Sequence, residues 1–203
     1  MTAVPLRWGA DAPEDTTEAR SRLLDAAQRC FEQRGMNKTT VEDIARAAKV
    51  SRATVYRYFA DRDEILLGVL IRDTDSYLSR VRPRIDRQPG LGAAIVEFVD
   101  VTVRAARRDT SLGMLFAGEE ARAAGGIIAG ASLALFERVE EFLRPLFGRW
   151  PDQIRPDVDV ADASEWILRA LLSLLTVEGP RRRSPEAQRA LVERFVLPAI
   201  VRT

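Results

Sequence analysis

The side chains best suited to recognising a charged partner lie between residues 46 and 60, where basic and hydroxyl groups are interspersed. This stretch carries Arg46, Lys49, Arg52 and Arg57 and contains no acidic residue, although the whole chain of 203 residues has a formal net charge of only +1. Guanidinium groups donate paired hydrogen bonds to phosphates and to the O6 and N7 atoms of guanine. A local patch of positive charge on a nearly neutral chain therefore indicates a surface that fits nucleic acid.

Small and polar residues around Arg52 predict contacts with base edges in a DNA major groove. Arg52 is suited to pair with guanine, and Thr54 is suited to donate or accept a hydrogen bond. Ala53 is small enough to approach a thymine methyl group. Arg57 suits either a base or a phosphate, and the sequence leaves both roles open.

A second set of side chains is suited to the phosphate backbone, which positions a protein on DNA without reading its sequence. Tyr56 and Tyr58 each carry a hydroxyl group that can donate to a phosphate oxygen, and Thr40 and Arg62 flank the stretch as candidate clamps. On spacing alone, the same pattern also fits an all-helical protein whose charged face is merely solvated. Both interpretations stay open at this point.

These side chains need two short helices to present them. Residues 41–48 have apolar side chains at positions i, i+3, i+4 and i+7, which predicts a two-turn helix whose buried stripe is Val41, Ile44, Ala45 and Ala48. Lys49, Val50 and Ser51 interrupt that pattern, and Ser51 is a favourable N-cap for a second helix over 52–59. Two short helices joined by a three-residue turn, the second with a polar and basic outer face, are typical of a helix-turn-helix.

The rest of the chain also predicts helices rather than strands. Residues 1–15 contain two prolines and one glycine without apolar periodicity, and we expect a mobile arm there. Pro83 is expected to end the helix that begins near Asp61, and Pro198 to kink or fray the last helix. Apolar spacing and Gly or Pro breaks predict further helices at about 18–34, 61–81, 91–108, 110–122, 127–147, 159–177 and 184–202. The expected fold class is therefore all-α, with about nine helices.

Two residue counts exclude whole classes of chemistry. The chain has no histidine, which excludes Ser-His-Asp and Cys-His catalysis and every histidine-ligated metal site. Its single cysteine, Cys30, excludes an internal disulfide, CxxC redox chemistry and a thiolate zinc site. We therefore predict no catalytic residue, no metal site and no cofactor. No apolar run approaches the ~18 residues of a membrane helix, and with no apolar leader we expect a cytoplasmic protein.

The chain resembles TetR-type (tetracycline-repressor-like) transcriptional regulators in the stretch 39–66, which reads TTVEDIARAAKVSRATVYRYFADRDEIL. The preceding stretch 24–35, LDAAQRCFEQRG, resembles the first helix of that family. The match covers about residues 18–70, and its spacing holds throughout. The resemblance implies a three-helix DNA-binding domain over 16–60, a helical ligand-binding and dimerisation domain over 61–203, and a homodimer on a near-palindromic operator.

The resemblance also implies DNA-facing roles for the residues singled out above. The predicted DNA-binding residues are Thr39, Thr40, Lys49, Ser51, Arg52, Ala53, Thr54, Tyr56, Arg57, Tyr58 and Arg62. Two of these positions depart from the family pattern. Lys49 stands where the family usually has glycine, so we expect backbone strain of about 1 kcal/mol in the turn. The lysine side chain is also suited to add a contact with a DNA phosphate. Arg62 stands where lysine is frequent, which keeps the charge but changes its geometry.

In this family the last two helices pair with those of a second subunit, and the sequence permits that pairing. The helices predicted over 159–177 and 184–202 both carry a wide apolar face that a two-fold four-helix bundle would bury. The residues predicted at the dimer interface are Trp166, Ile167, Ala170, Leu171, Leu174, Leu191 and Phe195. The same stripes also fit the core of a single subunit, and this alternative stays open.

A cavity for an unidentified small-molecule effector is expected among the helices that follow the helix-turn-helix. The residues predicted to line it are Tyr77, Phe98, Met114, Phe116, Glu119, Glu120, Phe136 and Trp166. Each apolar residue also suits plain core packing, and the two glutamates also suit an exposed helix face.

The function favoured by the sequence is that of a ligand-responsive transcriptional repressor with double-stranded DNA, a second copy of the chain and a small effector as partners, and no membrane. An enzyme with an incidental helix pair is an alternative of a different class. Neighbouring carboxylates such as Glu119 and Glu120 diverge around a helix, which makes them poor acid and base partners. A third interpretation is a regulator whose pocket is packed shut. The operator, the effector and the choice between repression and activation are not determined by the sequence.

Overall fold

The computed structural model describes residues 8, 12–108, 125–177, 179–180 and 183–202, with the backbone alone for 125–132. Within these residues the fold is all-helical, which confirms the predicted class. Their eight α-helices are α1 (Thr16–Arg34), α2 (Val41–Ala47), α3 (Arg52–Tyr58), α4 (Arg62–Ile85), α5 (Leu91–Arg108), α6 (Gly125–Arg149), α7 (Val160–Thr176) and α8 (Pro185–Phe195). The helix predicted at 110–122 lies outside the described residues, as does most of the predicted N-terminal arm.

The chain divides into two compact units, Met1–Arg72 and Asp73–Thr203. The first unit holds α1, α2, α3 and the first turns of α4, whose Ile65 and Leu66 are buried. Gly68 lies so close to α1 that a Cβ atom there would be 2.9 Å from a methyl carbon of Leu24. This close packing draws the start of α4 into the first unit, whereas the sequence placed the domain boundary between residues 60 and 61.

Helix α1 has a defined residue at each end. The Asp15 carboxylate caps it by accepting a hydrogen bond from the backbone N–H of Glu18 at 2.8 Å. Gly35, at φ 81°, ends it with a hydrogen bond from its N–H to the Phe31 carbonyl. Cys30 is buried in the apolar stripe, where burial raises the pKa of its thiol. The cysteine is therefore a small core residue of this helix.

Of the two prolines predicted to interrupt a helix, Pro83 does not do so, and the helix before Pro198 ends earlier than predicted. Helix α4 continues through Pro83 to the buried Ile85, so Pro83 does not end it. The last helix, predicted to reach about Arg202, ends at Phe195 and is followed by a 3-10 turn over Leu197–Ala199. Pro198 has no N–H with which to continue the helical hydrogen bonds. Beyond it, the N–H of Arg202 donates to the carbonyl of Gln153 at 2.9 Å and not to a helical partner.

The second unit packs around α5, most of whose residues from Leu91 to Asp100 are buried. The ring of Phe98 stacks on Phe142 with centroids 4.9 Å apart. Tyr77 donates a hydrogen bond from its hydroxyl to Thr102 Oγ1 at 2.8 Å, and burial raises the pKa of Tyr77 to about 12. Phe136 is half-buried. These rings belong to the packing of the unit, and their contact with an effector stays a prediction. Four predicted cavity residues lie outside the described part: Met114, Phe116, Glu119 and Glu120.

Two buried carboxylates on α5 form ion pairs with partly exposed arginines, one of which lies on α8. Glu97 and Asp100 are both buried, and Arg189 of α8 donates to Glu97 Oε2 at 2.7 Å and to Asp100 Oδ2 at 2.8 Å. Arg84 also donates to Glu97, and Arg104 lies 2.8 Å from Asp100 Oδ2. An unpaired carboxylate would be costly to bury, and the arginines offset that cost. Because Arg189 must reach both carboxylates, the pairing fixes the position of α8 along α5.

The predicted interface residues separate into three groups by burial. Ile167 and Leu171 are buried within the second unit, so their assignment to a dimer interface is wrong, because their face of α7 packs on the chain's own core. Trp166 is 44% exposed and Phe195 63% exposed, and both point away from that core. Ala170, Leu174 and Leu191 are half-buried. The exposure of Trp166 favours the interface assignment over a place in a cavity.

Candidate nucleic-acid interface

The start of α2 is fixed by Thr40 and Asp43, which cap each other. The N–H of Asp43 donates to Thr40 Oγ1 at 3.2 Å, and the N–H of Thr40 donates to Asp43 Oδ2 at 3.1 Å. The Thr40 hydroxyl also donates to Asp43 Oδ2 at 2.8 Å. The hydrogen bonds from the Thr40 side chain and backbone lower the pKa of Asp43. Thr40 is exposed, so its predicted contact with a DNA backbone stays sterically possible.

The turn between the two short helices contains the left-handed residue expected from the sequence. Lys49 has φ 57°. Its N–H donates to the Arg46 carbonyl at 3.1 Å, and the N–H of Val50 donates to the Ala45 carbonyl at 3.0 Å. This pair of bonds is the Schellman ending, in which glycine is usual because it has no Cβ atom. Lys49 therefore occupies a strained position with its side chain exposed.

Helix α3 begins at Arg52, directly after the predicted N-cap Ser51, and its first turn is fixed by that cap. Ser51 Oγ accepts a hydrogen bond from the N–H of Thr54 at 3.1 Å and lies 2.9 Å from Thr54 Oγ1. Thr54 is only 6% exposed, so the expectation that it points at a base edge is wrong. Its hydroxyl group completes the cap, and its side chain turns inward with Val55 and Phe59, which are fully buried.

The outer face of α3 is formed by Arg52, Ala53, Tyr56 and Arg57, all of which are exposed. Arg52 Nη2 donates to the Tyr56 hydroxyl at 3.1 Å, and its guanidinium lies 5.3 Å from the centre of the Tyr56 ring. That hydrogen bond raises the pKa of Arg52, which stays charged. The outer face therefore presents a fixed cation at the first turn, where a recognition helix meets base edges.

Two predicted DNA contacts are used inside the protein instead. Thr39 is 1% exposed, and its hydroxyl group lies 3.1 Å from the Cys30 carbonyl and 2.9 Å from the Gly35 carbonyl. Its assignment to the DNA surface is wrong, because the side chain ties the end of α1 to the loop before α2. Arg62 was expected to be a free clamp, but its Nε donates to the Thr39 carbonyl at 2.8 Å and its Nη2 to the Met36 carbonyl. The guanidinium group holds that loop.

The end of α3 depends on two residues that the sequence did not single out, Arg20 and Trp8. Arg20 donates to the carbonyl oxygen of Tyr58, and its guanidinium lies 4.2 Å from the centre of the Phe59 ring. Trp8 is 8% exposed and meets the half-buried Tyr58 ring edge-on. Neither residue has a signal in the local sequence pattern, because each contact joins residues almost 40 or more positions apart.

Two kinds of feature, a metal-ion cluster and a membrane-spanning helix, are absent from the described part of the chain. No cluster of three or more Cys, Asp or Glu side chains suited to a metal ion occurs there. In the same residues, no helix is long and apolar enough to cross a membrane. What the first unit does present is the exposed basic face of a helix-turn-helix.

Comparisons with known proteins point to the same unit. A family model described as "Bacterial regulatory proteins, tetR family" matches residues 23–69. An uncharacterized HTH-type transcriptional regulator of Mycobacterium tuberculosis is 30% identical over 185 residues, which cover 91% of this chain and 87% of that protein.

Two solved structures share the fold over most of the chain. The TetR family repressor AlkX from Dietzia sp., implicated in biodegradation of n-alkanes, is similar with a TM-score of 0.59 and 23% identity, covering 89% of this chain and 94% of that one. RolR in complex with the ligand resorcinol is similar with a TM-score of 0.64 and 17% identity, covering 91% of this chain and 88% of that one. At these identities the likeness concerns the fold.

Proposed function

The chain belongs to the TetR family of bacterial DNA-binding transcriptional regulators, and we propose that it is a homodimeric repressor that a small molecule releases from a near-palindromic operator. Regulators of this family are not enzymes. The observation that carries the proposal is the outer face of α3, where Arg52 is exposed and held by Tyr56. An arginine already oriented at the first turn of a recognition helix loses little freedom when it pairs with guanine.

The test of DNA recognition is selection of bound duplexes from a random pool by the full-length protein. We expect a near-palindromic consensus whose half-sites lie one helical turn apart, ~34–36 Å, because two recognition helices of a dimer enter successive major grooves. A consensus with one half-site, or recovery of random sequence, would contradict the proposal.

Salt dependence tests the contribution of the basic patch. Each phosphate neutralised by Arg or Lys should add ~0.9 to the slope of log affinity against log salt, because condensed counterions are released on binding. Arg46, Lys49 and Arg57 are all exposed and fall within the stretch that carries no acidic residue. An affinity that is the same at low and moderate salt would contradict binding through this patch.

The outer faces of α7 and α8 support the homodimer. Trp166 and Ala170 are four residues apart on α7, and Leu191 and Phe195 are four apart on α8, so each pair lies on one side of its helix. Trp166 and Phe195 are large apolar side chains that stay exposed in the single chain, and each gains free energy if a partner surface covers it. A two-fold axis would bring each pair against its own copy.

Charge substitution tests that surface. Trp166→Glu and Phe195→Glu should convert the dimer into monomers, because a carboxylate at the centre of an apolar interface loses its hydration without a partner. Light scattering measures the mass of the particle in each case. Glu165→Gln is the control, since it changes the neighbouring exposed position without placing a charge in the interface. A dimer that survives both glutamates would place the interface elsewhere.

The release step is supported only by analogy, because the solved structure of RolR, which shares the fold, holds resorcinol. In our proposal the second unit, Asp73–Thr203, receives the effector and lowers the affinity of the first unit for DNA, which requires that the effector bind the DNA-free arrangement more tightly. The test is thermal shift of the protein against a library of small organic compounds, followed by challenge of the protein–DNA complex with every hit. A hit that stabilises the protein and leaves DNA affinity unchanged would contradict release, and one that tightens DNA binding would indicate the opposite response.

A further inference from the structure

Trp8 is a large apolar side chain that the first unit encloses although it precedes α1 by eight residues. It is 8% exposed, and its indole nitrogen is buried. Its ring packs against that of Tyr58, whose centre lies 6.3 Å away with the planes at 66°. Edge-on pairs of this kind are a favoured arrangement of aromatic rings, because the positive edge of one ring meets the negative face of the other.

Tyr58 is the last residue of α3, and the contacts around it come from several sides. The Arg57 guanidinium lies 5.2 Å from the centre of its ring, and the Arg20 side chain donates to its carbonyl oxygen. Trp8 packs against the ring itself. The ring is half-buried, so part of it stays at the surface beside the exposed Arg57.

Arg20 also links the end of α3 to the start of α4. It pairs with Glu64 at 3.0 Å, and Glu64 accepts a hydrogen bond from the N–H of Ala60 at 2.6 Å. That backbone hydrogen bond, more than the pairing with Arg20, lowers the pKa of Glu64 and keeps it ionised. The backbone at the end of α3 is therefore held by contacts that do not involve Trp8. Trp8 contacts the ring of Tyr58, so we infer that it controls the orientation of that ring.

We propose that Trp8 is a positioning residue for DNA binding, which seats the Tyr58 ring and, through it, Arg57 at the C-terminal end of α3. This inference rests on DNA binding by the first unit. Trp8 acts through Tyr58 rather than by touching DNA, because its indole N–H is enclosed and has no surface from which to donate. Removing the indole lets the tyrosine ring rotate into the vacated space and draws the neighbouring guanidinium away from the phosphates.

A double-mutant cycle in the full-length protein tests the proposal. Affinity is measured by fluorescence anisotropy on two labelled duplexes, one selected from a random pool by the wild-type protein and one of unrelated sequence. We expect Trp8→Ala to weaken binding about fivefold on both duplexes, because phosphate contacts carry no sequence information. Tyr58→Ala should weaken binding by a similar factor. The double variant should bind no more weakly than Tyr58→Ala alone, since Trp8 has nothing left to position.

Two further variants separate positioning from general stability. Trp8→Phe keeps an aromatic edge against Tyr58 and should recover most of the wild-type affinity. Trp150→Ala removes a tryptophan from the second unit and should leave DNA affinity unchanged. Circular dichroism and thermal unfolding check that each variant is folded at the temperature of the binding assay. Should Trp8→Ala be unfolded there, Trp8→Leu fills the space without an aromatic edge and replaces it in the cycle.

Three results would overturn the inference. Wild-type affinity in a folded Trp8→Ala or Trp8→Leu would make Trp8 a core residue alone. Losses that add in the double variant would show that Trp8 acts on DNA independently of Tyr58. Failure of the wild-type protein to select any duplex would remove the proposed function together with this inference, whereas failure of the cycle with intact wild-type binding removes the inference only.

Discussion

The Nε atom of Arg62 lies 2.8 Å from the carbonyl oxygen of Thr39, and this bond joins the start of α4 to the loop before α2. The same guanidinium donates to the Met36 carbonyl and lies 3.6 Å from Asp63. Main-chain carbonyls in a loop that has left α1 have no helical partner, and a planar group with several donors satisfies two of them at once. Arg62 therefore sets the position of the helix-turn-helix within its unit.

Replacing Arg62 by alanine should lower the free energy of unfolding by about 2 kcal/mol, because two backbone acceptors lose a charged donor. Arg62→Lys should lose roughly half as much, since an ammonium group lacks the planar fork. Urea unfolding followed by circular dichroism measures both. Lys38→Ala removes an exposed cation from the same loop and should change stability by less than about 0.5 kcal/mol. Equal stability of Arg62→Ala and Lys38→Ala would refute this structural role.

Thr39 and Thr40 are neighbours with opposite expected roles. Thr39→Val removes the hydroxyl group beside the Cys30 and Gly35 carbonyls and should cost about 1 kcal/mol of stability without changing DNA affinity. Thr40→Val removes the cap of α2 at a similar cost and should also weaken DNA binding, because that residue is exposed on the DNA side. Thermal unfolding and anisotropy titrations measure the two properties separately. A loss of DNA affinity in folded Thr39→Val would argue against its interior role.

Lys49 combines backbone strain with a charge, and two substitutions separate them. Lys49→Gly should raise the free energy of unfolding by about 1 kcal/mol, because glycine adopts φ 57° without a Cβ clash. Lys49→Ala keeps the Cβ atom and should be no more stable than the wild type. Both variants lose one cation, so both should reduce the salt slope of DNA binding by up to ~0.9. If glycine and alanine variants unfold at the same denaturant concentration, the turn is not strained.

Arg52 is the residue expected to read a base. Arg52→Ala should cost about 1–3 kcal/mol on the selected duplex and much less on unrelated DNA, which relaxes the sequence preference. Arg46→Ala removes an exposed cation from α2 and should weaken all duplexes alike. Competition between the selected duplex and unrelated duplexes measures the ratio of the two affinities for each variant. A uniform loss in both variants would mean that Arg52 contacts phosphate instead.

The ion pair between the buried Glu97 and the half-buried Arg189 predicts acid sensitivity of the second unit. Burial alone raises the pKa of Glu97, but hydrogen bonds from Arg189 and Arg84 outweigh it and hold the pKa below its ordinary value. A lowered folded-state pKa means that the ionised carboxylate adds stability above its ordinary pKa, and that this stability is lost as pH falls through the folded-state value.

Glu97→Gln tests this dependence because it keeps an acceptor but removes the charge. At neutral pH it should cost about 2–3 kcal/mol, since it leaves the arginines without their shared counter-ion. The difference from the wild type should shrink as pH falls through the folded-state pKa of Glu97, because the carboxylate is then protonated in both states. Urea unfolding across the pH range gives the free energy of unfolding of both proteins. If the difference between them does not change with pH, the ion pair is not its source.

Much of this protein follows from its sequence alone. The caps at Thr40 and Ser51, the apolar spacing of α2, and the positive φ expected at Lys49 all depend on residues within a few positions of one another. Hydrogen bonds and helical periodicity act at that range, so local pattern is sufficient to predict them. The same reasoning predicted the all-helical class and the exposed basic face of α3.

Only the tertiary structure decided which side of each element is enclosed. Thr39 and Thr54 are polar residues beside a DNA-facing surface, yet both are buried because neighbouring helices cover them. The face of α7 that carries Ile167 turns to the core while that of Trp166 turns to solvent, although both are apolar. Burial and pairing between residues distant in sequence arise from packing in three dimensions, which the one-dimensional order of side chains does not contain.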